Sequence, residues 1–272
     1  MTSEPSEILQ VRKENRIAIL TMNRPERLNA LSGELTQALI EEINHLATGE
    51  EDIRCLVLTG AGRAFCAGGD VGGMPGGAQA GERPRRSAED ARRNFRTAQA
   101  LMLGLQRLEI PTIAMVNGDA VGAGFDLACV CDIRTAAENA RFMVAYRRIG
   151  LIPGYGGAWL YPRRLGLNKA AELMFTGDFM NADDGYRLGM ISRVVPLERL
   201  EEETMALAGR IASGPPISLR LMKQLLYKGQ EVDLETAMLM AATGSSITLL
   251  SEDHVEGITA FREKRQPDFK GR

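Results

Sequence analysis

The chain has 272 residues, 44% of them hydrophobic and 25% charged, the make-up of an ordinary globular protein with one large domain or a domain and an appendage. Thirty-three basic residues against thirty-five acidic ones leave a formal net charge of -2, so no global electrostatic drive toward nucleic acid or an anionic membrane exists. No segment approaches the apolar length of a membrane span, and the opening "MTSEPSEILQ" has neither the basic start nor the apolar core of a secretion signal. A cytoplasmic protein is expected.

In chain order, "EILQVRKENRIAILTM" alternates apolar and polar residues around Glu14-Asn15, which suits a hairpin. "NRPERLNALS" follows as a turn-rich loop, and Ser32 is placed to cap a helix to about Leu46, with Leu35, Leu39, Ile43 and Leu46 on one stripe. "RCLVLTG" is a short apolar run ending in glycine, as in a buried parallel strand. The stretch "GGMPGGAQAGERPRRS", residues 72–87, is the most loop-like of the chain, either a surface loop or a lid over a site. A helix-like segment from about Asp90 to Leu108 leads to "TIAMVNG", which repeats the strand pattern. Strand, helix, strand in this order predicts right-handed crossovers and an α/β core. From Gly157 on, helical segments separated by Gly, Pro or Asn dominate, and a C-terminal helical region is expected over residues 200–272, after a core of residues 1–199. Its stripes, such as Leu219, Met222, Leu225 and Leu226, carry more apolar surface than one thin layer buries alone.

Cys55, Cys66, Cys129 and Cys131 form no CxxC pair, and His45 and His254 are the only histidines. A zinc site lacks ligands on that count, so no metal is expected, and the thiols read as reduced and mostly buried.

Two glycine-rich loops carry the functional signal. "TGAGRAFCAGGDVGGM" leaves the strand that ends at Thr59, and "VNGDAVGAGFDL" leaves the strand that ends near Val116. Loops at the carboxyl ends of neighbouring strands converge on the ligand crevice of an α/β sheet. Neither loop has the Gly-Lys-Ser/Thr of a P-loop, and GxGxxG fails at Leu127. What remains are two bare backbone stretches, Gly68-Gly69 and Gly122-Ala123-Gly124, the second opening the helical run "FDLACVC". Amides at a helix start have no internal partner and point outward with partial positive charge. Two of them aimed at one point would hold a developing oxyanion, as acyl thioester chemistry demands. The alternative is tight-turn packing, with glycine needed only for positive φ or close contact.

"NRPERLNAL", "AFCAGGDV", "VNGDAVGAGFDLACVCDIR", "IGLIPGYGGAWLYPRRLG" and "AFREKRQPDF" resemble, in order and spacing over about residues 8–270, the successive signatures of the enoyl-CoA hydratase/isomerase (crotonase) superfamily. The resemblance implies a crotonase-like α/β spiral of ββα units with a C-terminal helical trimerisation region, assembled as a homotrimer or a dimer of trimers. It also implies an acyl-CoA thioester as substrate, with coenzyme A entering as part of the substrate and no separate cofactor. Carried over residue by residue, the oxyanion amides are those of Gly69 and Ala123. Arg27, Leu28, Ala30, Ala64, Ala67, Asp70 and Val71 would line the coenzyme, Gly122, Pro153 and Gly154 the acyl thioester, and Lys264 would approach the nucleotide phosphates, in some family members from a neighbouring subunit.

The catalytic acids depart from the pattern. Hydratases of the family use two glutamates; the first position holds the shorter Asp126 and the second holds Tyr146. Some isomerases place an aspartate after the proline of "LIPG", and that position is Gly154. Asp126 is therefore the only acid at a matched catalytic position. It reads either as a proton carrier or as a helix-end acid favoured by the dipole. A phenol with its ordinary pKa near 10 is a poor base at neutral pH, so Tyr146 either holds or protonates substrate or packs the pocket. Hydration or a double-bond shift is the leading expectation. Decarboxylation, thioester hydrolysis and non-catalytic acyl-CoA binding stand as alternatives.

Overall fold

The computed structural model describes residues 8–70, 72 and 87–272. Val71 and nearly all of the loop-like stretch 72–87 lie outside the described residues. The alternating N-terminal segment forms β1 (Leu9–Glu14) and β2 (Ile17–Met22), paired antiparallel from Leu9 opposite Met22 to Glu14 opposite Ile17. Asn15 and Arg16 turn the hairpin with φ of 50° and 65°, the two left-handed positions that match strand twist. The Ser32 hydroxyl accepts the Leu35 amide at 3.2 Å and starts α1 (Gly33–Ala47), whose Leu35, Leu39, Ile43 and Leu46 are buried. The two apolar runs are β3 (Cys55–Gly60) and β5 (Thr112–Val116), parallel neighbours, with α2 (Ala88–Arg107) between them in sequence.

From β3 to β8, each long strand is followed by a short one. β3 leads to β4 (Ala64–Cys66), β5 to β6 (Asp119–Val121), and β7 (Ile133–Ala137) to β8 (Arg141–Met143). The short strands, with β9 (Phe179–Asn181), form a second sheet in the order β4-β6-β8-β9. The long ones, with β10 (Arg193–Val195), form the first in the order β1-β2-β3-β5-β7-β10. The helices after each pair are α1, α2, α3 (Ala123–Val130) and α4 (Gly157–Leu165). This repetition is a spiral of ββα units. Three-residue strands carry too little pattern to be read as strands from sequence, and the second sheet emerges only when the units stack.

The main core fills the space between the sheets and α1–α4, with Phe65, Phe125, Phe142 and Tyr161 at its centre. The opposite face of the first sheet buries Ile17, Ile19, Val57 and Ile113 against Leu200, Ala208 and Ala212 of α7 (Leu197–Ala212). Between α4 and α7 come α5 (Leu167–Thr176) and α6 (Ala182–Arg187). Beyond α7 follow α8 (Pro216–Lys228), α9 (Leu234–Leu249) and α10 (Glu252–Glu263). One buried cluster ties α8 to the sheet. Lys223 Nζ lies 2.8 Å from Asp132 Oδ2, and Tyr227 donates to Asp132 Oδ1 at 2.6 Å. Asp132 also accepts the Thr112 amide at 2.7 Å and hydroxyl at 3.0 Å. Among the described residues, no helix is long and apolar enough to cross a membrane.

Candidate active site

Three backbone bonds lace the first glycine loop to the loop after β2. The Ala67 amide donates to Leu28 O at 2.9 Å, Leu31 to Gly68 O at 2.7 Å, and Asp70 to Leu31 O at 3.1 Å. Because Leu31 engages the groups on either side of Gly69, strand alternation turns the Gly69 amide the other way. Leu28 and Asn29 both adopt left-handed φ, 51° and 56°. Asn29 is fully buried and donates to Ala61 O at 2.9 Å and Ala64 O at 2.8 Å, while its Oδ1 accepts the Arg24 amide. Arg24 in turn reaches Ala30 O at 2.6 Å and Asp70 at 3.2 Å. Arg27, Leu28, Ala30, Ala67 and Asp70 are thus brought together. Ala64 is buried inside β4 with its carbonyl occupied by Asn29. Asn29 and Arg24 were not singled out in the sequence, although a left-handed Asn in a turn-rich loop is a known bracing device.

The second loop meets the first at Gly68. A Cβ on Gly68 would lie 2.7 Å from Val121 O and 3.3 Å from Ala123 N, so only glycine lets the two backbones approach. Gly122, with φ of 54° and ψ of -120°, is the N-cap of α3, which makes Ala123 its first helical residue. Its amide has no intrahelical acceptor. Gly124 faces the Cys66 carbonyl so closely that any Cβ would overlap it. Both bare stretches therefore serve backbone contact, and the same contact sets the Ala123 amide beside the Gly68-Gly69 segment. Lys264 stands elsewhere, exposed at the left-handed C-cap of α10.

Asp126 lies in the first turn of α3 and is completely buried. Two phenols hold it: Tyr146 donates to Oδ2 and Tyr161 to Oδ1. Burial pushes the carboxyl up to about 7, against the two phenolic hydrogen bonds, which favour the ionised form. The same burial, with the Asp126 charge beside it, raises Tyr146 above the usual phenol range. Tyr161 lies within the quoted signature "IGLIPGYGGAWLYPRRLG", but the sequence assigns it no role. The available signal was chemical: a tyrosine in the core needs a partner for its hydroxyl. Pro153 and Gly154 belong to the loop before α4 and line a cavity of about 940 Å³ between α2, α4 and α8. A Cβ on Gly154 would lie 2.5 Å from the Phe95 ring, so the aspartate found there in some isomerases has no room unless Phe95 moves. All four cysteines are free and buried, and burial pushes Cys66 up to about 12. Among the described residues, no group of three His, Cys, Asp or Glu side chains is placed to hold a metal ion.

Residues 12–272 match the family model described as enoyl-CoA hydratase/isomerase. This chain belongs to that family. It is an acyl-CoA-acting enzyme of the hydratase/isomerase kind. It is 36% identical over 261 residues to the crotonyl-CoA hydratase of Syntrophomonas wolfei, covering 94% of this chain and 95% of that one. It is 37% identical over 260 residues to the 1,2-epoxyphenylacetyl-CoA isomerase of Escherichia coli, covering 95% and 97%. The crystal structure of an enoyl-CoA hydratase from Bacillus anthracis superposes with a TM-score of 0.90 at 34% identity, covering 97% of this chain and all of the other. The family's α/β spiral is therefore this protein's fold.

Proposed function

We propose that this enzyme shifts the double bond of an enoyl-CoA thioester by moving one proton between the carbons alpha and gamma to the carbonyl, with Asp126 as the single carrier. The observation that carries this reading is the filling of the second acid position by Tyr146, whose phenol donates to Asp126 and is a weaker acid than usual. Hydration divides its work between a base that activates water and an acid that protonates carbon, and a phenol held this way suits neither role at neutral pH. A shift needs one group. The thioester oxygen rests on the amides of Gly69 and Ala123, which stabilise the charge that develops when the C–H bond breaks. Asp126 takes that proton, the electron pair delocalises into a dienolate on the held oxygen, and the same carboxyl returns the proton to the other end. Arg27, Leu28, Ala30, Ala67 and Asp70 line the coenzyme in this reading, and Arg27, exposed on a 3-10 turn, is available to a phosphate oxygen. Gly122, Pro153 and Gly154 line the acyl part. No cofactor beyond the coenzyme A of the substrate is called for.

The test offers unconjugated and conjugated enoyl-CoA thioesters of several chain lengths. Gain of conjugation, read as rising ultraviolet absorbance with the unconjugated series, is expected. Loss of crotonyl-CoA absorbance with no reaction of the unconjugated series would establish hydration instead.

The titration of Asp126 sets the pH dependence. A carboxyl with its midpoint at about 7 is protonated and inactive as a base below that pH. Turnover is therefore expected to rise with pH through about 7 and level off above it. A flat profile across that interval, measured as kcat/KM, which follows the titration of the free enzyme, would remove Asp126 from the proton transfer.

We also propose assembly into a trimer or a dimer of trimers in the cytoplasm. Supporting it, α8–α10 leave Met222 60%, Leu226 62%, Leu239 65%, Leu250 89% and Phe261 85% exposed, an apolar extent that single chains rarely present to water. Four free thiols suit a reducing compartment. Light scattering is expected to report three or six chains; a monomer at micromolar concentration would contradict the assembly.

A further inference from the structure

An aspartate reaches about one methylene less far than a glutamate, and here its carboxyl is wholly enclosed. The enclosure has two unlike sides. Tyr146 is 8% exposed and borders the oxyanion loop, where a Cβ on Gly122 would come within 4.0 Å of its Cζ. Tyr161, fully buried on α4, stacks on Phe125 with ring centroids 4.8 Å apart and planes at 27°. Phe125 in turn tilts against Phe142 at 5.3 Å. Gly157 completes the pocket: a Cβ there would overlap Asp126 Oδ1 and lie 2.5 Å from the Tyr161 ring. The absence of a side chain at 157 gives the Tyr161 hydroxyl its path to Oδ1.

We infer that Tyr161 is a positioning residue: its phenol clamps Asp126 Oδ1 from the buried side, so that the short carboxylate keeps one orientation, with Oδ2 on the side of Tyr146, the phenol that borders the oxyanion loop. The inference rests on Asp126 being the proton carrier. The physical need is plain. Without a donor, Oδ1 would be a charged acceptor walled in by Phe125 and the ring at 161, and the carboxyl would hold its proton more tightly or turn away. The titratable groups around Asp126 are Tyr146, Tyr155, Tyr161 and Cys129, with Cys66 beyond Tyr146 and Tyr155; burial keeps both thiols protonated at neutral pH. Arg134 donates to carbonyls at the far end of α3 and to Met190 O, and Arg164 donates to Cys129 O and the Tyr227 hydroxyl. The two phenols are thus the groups that favour the anion, and Tyr161 is the one that does not face the substrate.

The experiment compares the parent with Tyr161→Phe across pH, using whichever enoyl-CoA the parent turns over. A lost charge-assisted hydrogen bond moves the rise of kcat/KM to higher pH by about one to two units. At neutral pH turnover then falls roughly 5- to 50-fold and recovers toward the parent under alkaline conditions. KM is expected to stay within about threefold, because the thioester and nucleotide loops are untouched. 3,5-Difluorotyrosine at 161 keeps ring and hydroxyl and donates more strongly, so it should move the rise to lower pH. This second variant decides the matter if the phenylalanine protein does not fold. An unmoved pH profile in the folded variants, with kcat within about threefold of the parent, assigns Tyr161 to packing and overturns the inference. Asp126→Asn separates the two levels: full activity in that variant removes the proton-carrier reading itself. An inactive Asp126→Asn beside an unmoved Tyr161→Phe profile removes only the role of Tyr161.

Discussion

Asp126→Asn is expected to lower turnover at least about a hundredfold, the lower bound typical of general acid–base catalysis. Asparagine keeps the shape of the side chain but has no carboxylate to accept a proton. The loss should fall on kcat and leave acyl-CoA binding close to the parent value, because the Gly68-Gly69 and Gly122-Ala123 backbones and the loop braced by Asn29 are unchanged. The same substitution has a second signature. The folded carboxyl binds its proton up to about 7, whereas the unfolded one releases it near its ordinary 3.8. Between those values the folded state holds more protons than the unfolded state, so the parent loses stability as pH rises through that window. The full loss is on the order of 4 kcal/mol. A neutral amide in place of the carboxyl has no such linkage, so the variant's Tm should gain on the parent's as pH rises from about 4 to about 7. Equal Tm differences at both ends of the window, measured at one protein concentration, would show that Asp126 is not held protonated by burial. Retained turnover would make it a helix-end acid.

Asp132→Ala is expected to destabilise the protein by about 3–5 kcal/mol, the range for removing one member of a buried ion pair. Asp132 and Lys223 side chains are 11% and 8% exposed, so water does little to compensate the ammonium left behind. Lys223 would retain only the Ile110 carbonyl at 3.0 Å, and the Thr112 amide and Tyr227 hydroxyl would lose an acceptor. For a chain of this size the fall in Tm is of the order of 10 °C. Adding Lys223→Met should restore part of it, because the pair's desolvation cost then disappears with the pair. A Tm within about 2 °C of the parent for Asp132→Ala would show that α8 is held on the sheet by apolar packing and not by this cluster.

The α/β class, the hairpin, the capped helix after Ser32 and the helical succession from Gly157 were all legible in the sequence. Each is set by local chemistry: alternation, a hydroxyl placed to accept a free amide, glycine and proline at the breaks. The ordered motifs also pointed to the family, to Asp126, whose role the Asp126→Asn variant tests, and to Tyr146. Other features depend on residues far apart in the chain. The second sheet exists because three-residue strands from successive units meet, and none is long enough to declare itself. Asn29 matters because β4 lies under its amide, and Gly157 because Asp126, 31 residues earlier, occupies the space of its missing Cβ. The chemistry of Asp126 belongs to this second kind. A carboxyl in the first turn of a helix is ordinary by position. It becomes a group poised near neutral pH only when folding removes it from water and brings in the phenols of Tyr146, 20 residues on, and Tyr161, 35 residues on. Sequence determines which groups are available; desolvation and contact, which exist only in the folded chain, decide their proton affinity.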